Sequence, residues 1–370
     1  MKTFPRIIFL LITLFIIIVA CSKSDNEKYI PVEPVVEVIV NLANVPYAKL
    51  SDYHFFKGDL KDLEPMSNVL PYEPASSVFT DYTQKKRFVW MPAGTKATYV
   101  ADDKVFNFPI GAVLIKSFYY ENTLPNNLKK IIETRLLIKK ADGWKAFEYI
   151  WNVAQTDAIL ETIGNGTLRP ITFIENGVTQ TIDYRTPSQS SCVTCHKINP
   201  NQTGEIIIPI GPKPQNLNTL FSYNGVLQNQ LTKWKTMCYL GDDVPALSVI
   251  NSTIDYRDTT KSLELRARSY MDINCAHCHQ DGGHCAYVPQ RFNFSNPDIN
   301  SRGICLSPRT AVTGFPFIIT AGNSSNSLVI NKMNSIEAAV MMPPLGRSIV
   351  HTEGIQLITD WINSMPATCR

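Results

Sequence analysis

Two Cys-x-x-Cys-His runs, Cys192-Val193-Thr194-Cys195-His196 and Cys275-Ala276-His277-Cys278-His279, constrain this 370-residue chain more than any other feature. On one helical turn, two thiols spaced by two residues share a face. That places them to bond the two vinyl groups of a porphyrin while the next imidazole reaches the iron, the pattern of c-type haem attachment. The pair of runs therefore predicts two covalent haems, with Cys192, Cys195, Cys275 and Cys278 as anchors and His196 and His279 as iron ligands. A zinc ribbon fits less well, because its two Cys pairs normally lie within about 20 residues of each other, whereas Cys275 stands 80 positions after Cys195. A thioredoxin-type dithiol needs a strand-to-helix setting in a βαβ pattern, which neither run has, and it leaves both histidines unexplained.

The first residues carry an address. Lys2 and Arg6 precede an apolar run from Ile7 to Ala20, broken only by Thr13, which suits the core of a signal peptide and is short for a membrane span. Ile18-Val19-Ala20-Cys21 reads as a lipobox, so Cys21 is expected to be lipidated and to anchor the chain to a bacterial membrane, at the cell envelope. Residues 1–20 then form the signal peptide and 21–46 a tether. Without Lys2 and Arg6 the basic count falls from 35 to 33 against 32 acidic residues, a near-neutral chain with no patch that calls for nucleic acid. Export also matches haem attachment and permits disulfides.

Residues 47–187 read as a mostly antiparallel β domain, rich in β-branched and aromatic runs. Expected strands are Arg87 to Met91, Ala97 to Val100, Val105 to Phe108, Ala112 to Tyr120, Glu133 to Lys139 and Lys145 to Trp151. Asp142-Gly143 and Asn176-Gly177 are hairpin dipeptides, the second joining Ile171 to Glu175 with Val178 to Asp183. Thr156 to Ile163, closed by Gly164, reads as a short helix. No catalytic spacing stands out: Asp102 and Asp103 read as a solvated turn, and His54 as packing.

Residues 188–258 form the first haem-binding segment and 259–370 a second, helical unit, giving an α+β chain whose C-terminal part follows the class I cytochrome c plan. Leu220 to Tyr239 reads as a helix with Met237 at its end, the candidate sixth ligand of the first iron, with Lys213, a histidine or an open position as alternatives. Ser262 to Ile273 and Glu353 to Asn363 are expected to cross beside the second haem. Met341-Met342-Pro343-Pro344 reads as a methionine loop, with Met342 ligating opposite His279 and Met341 the runner-up; thioether ligation suits an electron carrier. Cys238, Cys285, Cys305 and Cys369 allow three disulfide pairings, of which Cys285 with Cys305 is preferred. His277 and His284 read as partly solvated, and His351 as a propionate partner or a helix cap.

These residues also resemble a family, the bacterial lipoprotein-type diheme c-type cytochromes with a shared N-terminal β module. The stretches that carry the likeness are LSDYHFF from Leu50, RFVWMPAGTKATY from Arg87, ETRLLIKKADGWKAFEYIWN from Glu133, NCAHCH from Asn274 and MMPPLGRSIVHTEG from Met341. The resemblance implies haem ligation at both Cys-x-x-Cys-His runs and an iron ligand near Met342; it supplies no reaction.

The expected function is outer-sphere electron transfer by two haems to a redox protein partner, an electron carrier in preference to a catalyst. One alternative is a diheme peroxidase or oxidoreductase subunit with an open position on the first iron. Another is a β module that captures a glycan or polymer and carries the redox domain.

Overall fold

The structure, a computed structural model, describes residues 37–164, 166–199 and 204–369. The expected signal peptide, Cys21 and the tether up to residue 36 lie outside them. Val38–Arg370 form one unit, built around an eight-stranded antiparallel sheet.

Strands β1 (Phe56–Lys57) and β2 (Glu64–Pro65) make a small hairpin before the sheet. The sheet comprises β3 (Leu70–Tyr72), β4 (Gln84–Trp90), β5 (Val113–Thr123), β6 (Leu128–Lys140), β7 (Gly143–Trp151), β8 (Ala158–Leu160), β9 (Thr167–Glu175) and β10 (Val178–Thr186). They run β3-β4-β5-β6-β7-β8, and the β9-β10 hairpin joins the end of β5 where Thr123 pairs with Phe173. Both hairpin dipeptides turn as their sequence requires: Asn176 and Gly177 have φ of 49° and 77°, and Gly143 has φ 113°.

Alternation along the strands sends one set of side chains into a core and the other to the opposite face. Phe88, Trp90, Val113, Ile115, Leu136, Ile138, Tyr149 and Trp151 bury against Tyr53, Phe55 and Leu63 from the preceding segment. On the other face Val89, Leu114 and Trp144 pack against Leu217, Leu231, Trp234, Leu240 and Ile250. The apolar residues of 214–250 thus complete a core that the sheet begins.

Beyond the sheet come α1 (Gln189–His196), the strand pair β11 (Lys197–Ile198) and β12 (Ile206–Ile207), α2 (Pro214–Leu217), the hairpin β13 (Leu220–Tyr223) and β14 (Val226–Asn229), and α3 (Gln230–Thr236). Then follow α4 (Leu263–Met271), α5 (Leu328–Met333) and α6 (Thr352–Asn363). The Ser262 side chain caps α4 by accepting from the Leu265 N–H. Ala267, Tyr270, Met271, Leu357, Ile358, Trp361 and Ile362 of α4 and α6 share one core with Phe292, Ile318 and Leu328. A side chain at Gly354 would collide with the Tyr270 ring, so glycine there sets how closely α6 approaches α4.

Four expectations change. Leu220 to Tyr239 is a hairpin followed by a helix, because Asn224 and Gly225 adopt φ of 51° and 83° and reverse the chain before Asn229 caps α3. Thr156 to Ile163 holds strand β8 and no helix: Gln155 at φ 57° turns the chain back so that Ile159 faces Ile150. Ala97 to Val100 and Val105 to Phe108 contribute single bridges, Ala97 with Leu240 and Thr98 with Asn107. Cys305 bonds Cys369, tying the segment after the second Cys-x-x-Cys-His run to the C-terminus, while Cys285 stays free beside Cys278.

Trp234 is fully buried, edge-on to Tyr72 at 5.5 Å. Trp234→Ala should lower unfolding free energy by about 3–5 kcal/mol in chemical denaturation; a loss below about 1 kcal/mol would mean that the sheet and residues 214–250 do not share this core.

Candidate metal centre

The two Cys-x-x-Cys-His runs, distant in sequence, meet. Asn199 N–H donates to Gly282 O at 2.8 Å, and the Cys278 thiol approaches Thr194 O at 3.7 Å. Gly282 has φ 73°, and a side chain there would strike Asn199 O, so the close backbone approach depends on glycine.

The first run occupies α1, whose N-terminus Ser188 caps by accepting from Ser191 N–H. His196 Nδ1 donates to Ile208 O at 2.8 Å. A carbonyl only accepts, so this bond fixes the tautomer and leaves Nε2 with the lone pair, as in metal-ligating imidazoles whose other nitrogen donates to a carbonyl. Burial pushes His196 down to about 4, which keeps it neutral and able to ligate at neutral pH. Met237, the candidate sixth ligand, packs against the Trp234 core. Lys213 is buried 3.8 Å from Asp272.

The second run follows α4 through a π-helical turn, Asp272–Ala276, a distortion often found at functional sites. The buried Asp272 steadies it, accepting from Phe294 N–H at 2.9 Å and Gln215 Nε2 at 3.1 Å. Asn274 accepts from Phe79 N–H at 2.8 Å and donates to Tyr270 O at 3.0 Å. Cys275, Cys278 and His279 open into a cavity of ≈ 1630 Å³ of empty space, its mouth included. Phe292, Ile318, Leu328 and Ile355 give it apolar walls, and Met342, Pro343 and Pro344 line it as well. Met341 is not among the lining residues. Burial pushes His279 down to about 4 and Cys275 up to about 12; His279 Nδ1 is buried with no hydrogen-bond partner among the described residues.

Arg347 holds the methionine loop, donating from Nη2 to Ser335 O at 2.8 Å and Met342 O at 3.0 Å, and from Nη1 to Ile349 O at 3.2 Å. Sequence reading missed this role, although an arginine five residues past a Met-Pro turn is a legible signal. His277, expected to be partly solvated, is buried at 8% exposure. Its ring joins the thiols of Cys195 and Cys278, ligand atoms all within 4.8 Å of one another. A hydrogen bond from Cys278 and the neighbouring His277 hold Cys195 well below the usual thiol range; Cys278, hydrogen-bonded to Cys195 and Cys285, is pushed up. His351 neither caps α6 by its side chain nor faces solvent: it stacks on Phe79 at 4.2 Å and meets Tyr270 Oη at 3.0 Å.

Comparison with protein-family models, curated proteins and solved structures finds no match for this chain. The fold and site define an α+β protein in which an antiparallel sheet and a small helical cluster bring two Cys-x-x-Cys-His segments together.

Burial holds His351 at about 4 against 6.5 for a free imidazole. The unfolded chain therefore binds the extra proton between those values, so stability is full above pH 6.5 and falls as pH drops toward 4. His351→Phe, which keeps a ring on Phe79, should flatten this acid limb by on the order of 2 kcal/mol in a series of pH-dependent melts; an unchanged limb would place the proton uptake elsewhere.

Proposed function

We propose that this protein is an exported, lipid-anchored diheme c-type cytochrome that carries electrons by outer-sphere transfer, with its C-terminal helical part acting as a class I-like haem domain. The observation that carries the reading is the shared apolar cavity into which Cys275, Cys278, His279 and Met342 all open. Haem bound there supplies a one-electron ferrous/ferric couple. The chain's part is to anchor it through two thiols, offer nitrogen and thioether ligands, and exclude water with Phe292, Ile318 and Leu328. A thioether donor favours the reduced state relative to a second imidazole, and the Arg347 bonds hold it in place. The Cys195 and Cys278 sulfurs lie within 4.8 Å of each other, so two haems held through them would sit close together. Lipidation at Cys21 would keep the chain at a membrane, within reach of a redox protein partner.

The same sulfurs favour one other reading. Cys195, His277 and Cys278, with Cys285 hydrogen-bonded to Cys278, form a sulfur-rich set with the donors of a structural zinc site.

Intact mass and peptide mapping of protein matured in a host able to attach c-type haem should find haem on both Cys-x-x-Cys-His peptides. Colourless protein holding one zinc would establish the second reading instead. Met342→Ala should keep both haems attached yet lower one midpoint potential by on the order of 0.1 V, part of the ~0.8 V range that axial ligands cover; unchanged potentials and spectra would remove Met342 from the iron. A high-spin, peroxide-reactive iron in the unaltered protein would turn the reading from carrier to peroxidase.

A further inference from the structure

Three segments carry four soft donors to one buried point between the two Cys-x-x-Cys-His runs. Helix α1 brings Cys195, the residues after the π-helical turn bring His277 and Cys278, and the turn that follows returns Cys285 to the same place; all four line the cavity. The sulfurs of Cys195 and Cys278 and a ring nitrogen of His277 lie within 4.8 Å of one another. Cys278 is hydrogen-bonded to both Cys195 and Cys285, and His277 to Cys195. Cys285 belongs to neither run and is a free, buried thiol.

The backbone closes this turn. Cys285 N–H donates to Cys278 O at 3.0 Å and Gly283 N–H to Gln280 O at 3.1 Å, while Gln280 Nε2 donates to His277 O at 3.0 Å. A side chain at Gly283 would strike Cys278 O, so glycine lets the chain fold back with Cys285 beside Cys278. Gly282, one residue earlier, admits the first run. Two successive glycines thus bring to Cys278 one sulfur from its own segment and one from the other run. His277 is nine-tenths buried, and its Nδ1 has no hydrogen-bond partner among the described residues, a costly state for a polar group without a ligand. Three sulfurs and an imidazole are the donors of a Cys3His zinc site. Zinc at about 2.3 Å from each sulfur of a tetrahedron sets sulfurs roughly 3.8 Å apart, so a contraction of at most about 1 Å would close the set.

We propose that Cys195, His277, Cys278 and Cys285 form a zinc-binding site of the chain before haem is attached, and that zinc held there keeps haem off both runs. The site gives the sulfur-rich set its fourth ligand and a regulatory consequence; the exclusion of haem rests on the haem reading of the two runs. Each thiol that ligates loses its proton to solvent and binds as a thiolate. Haem attachment uses the same sulfurs differently: the S–H adds across a vinyl C=C, sulfur to one carbon and hydrogen to the other, with no net oxidation or reduction. The thioether so formed is neutral and no longer supplies the thiolate that zinc takes from cysteine. One ion takes one anchor from each run, Cys195 from the first and Cys278 from the second, while Cys192 and Cys275 stand outside the set. A single zinc therefore blocks one thioether bond of each haem, and haem attachment at Cys195 or Cys278 dismantles the zinc site.

The test uses the full-length chain produced without haem-attachment machinery and titrated with zinc alone, then with cobalt(II) as a coloured substitute. One metal ion per chain is expected, with X-ray absorption showing three sulfurs and one nitrogen around zinc and cobalt giving the intense visible bands of a tetrahedral thiolate site. Cys285→Ser, which leaves both runs intact, should weaken zinc binding by roughly 100-fold or more, beyond what loss of an outer-shell partner costs, and His277→Asn should do the same. Cys238→Ser, at an exposed thiol outside the cluster, should bind zinc as the unaltered chain does. No bound zinc, or fewer than three sulfurs around it in the unaltered chain, would overturn the proposal whether or not the variants fold. In a host able to attach c-type haem and given excess zinc, haem on both Cys-x-x-Cys-His peptides should fall severalfold for the unaltered chain and hold for Cys285→Ser. Equal haem yield with and without zinc in the unaltered chain would overturn the exclusion. Haem missing from both peptides without added zinc would instead remove the haem reading, and zinc stoichiometry would still decide the metal site.

Discussion

Everything at the candidate centre depends on the contact between the two Cys-x-x-Cys-His segments, where the backbone of Asn199 meets that of Gly282 and the Cys278 thiol reaches Thr194 O. Two short stretches from opposite ends of a long loop closure are held at backbone distance, a contact whose entropic cost grows only slowly with the chain between them. Glycine at 282 is the local condition, because any side chain would occupy the space of the Asn199 carbonyl. From this contact follow both the nearness of Cys195 to Cys278 and the burial of His277.

The sheet is the frame on which that contact is mounted. Its first face is an ordinary apolar core. Its second face is divided, apolar where Leu217, Leu231 and Trp234 cover it and charged beside α1. The β3–β4 loop then ties the frame to the helical cluster: Asp81 accepts from Ser348 and Ile349 next to the methionine loop, Phe79 is held by Asn274 and stacked on His351, and Ser76 bonds Ile254 O. Burial raises the Asp81 pKa although these donors oppose the shift, so the link is made at the expense of a desolvated carboxylate. A loop from the β part therefore forms part of the wall of the cavity at the second Cys-x-x-Cys-His run, and the C-terminal part does not stand as a free module.

Much of the fold was readable because its signals are local. Asn176-Gly177 and Asp142-Gly143 specify tight hairpins through the positive φ that these residues tolerate, and the alternating runs of β5, β6 and β7 show their two faces in the sequence. The apolar stripes of α4 and α6 were equally plain. The misreadings share a cause. Leu220 to Tyr239 carries enough apolar residues to imitate a helix, but Asn224-Gly225 inside it reverses the chain. Ala158–Leu160 is a strand only because β7 offers it an edge. Cys369 found Cys305 through the path of the whole C-terminal segment, which no spacing rule contains.

The sequence by itself determined the two Cys-x-x-Cys-His motifs, the antiparallel strands and the Met-Met-Pro-Pro turn, since each is fixed by residues within a few positions of one another and by the backbone angles they allow. Tertiary structure decided which of these meet: that the two runs share a junction, that Met342 opens into the cavity of Cys275 and His279 while Met237 packs against Trp234, and that Cys195 of the first run comes beside Cys278 of the second. Those outcomes depend on strand register and on the packing of segments far apart in the chain, where a single-residue slip would turn every side chain to the other face.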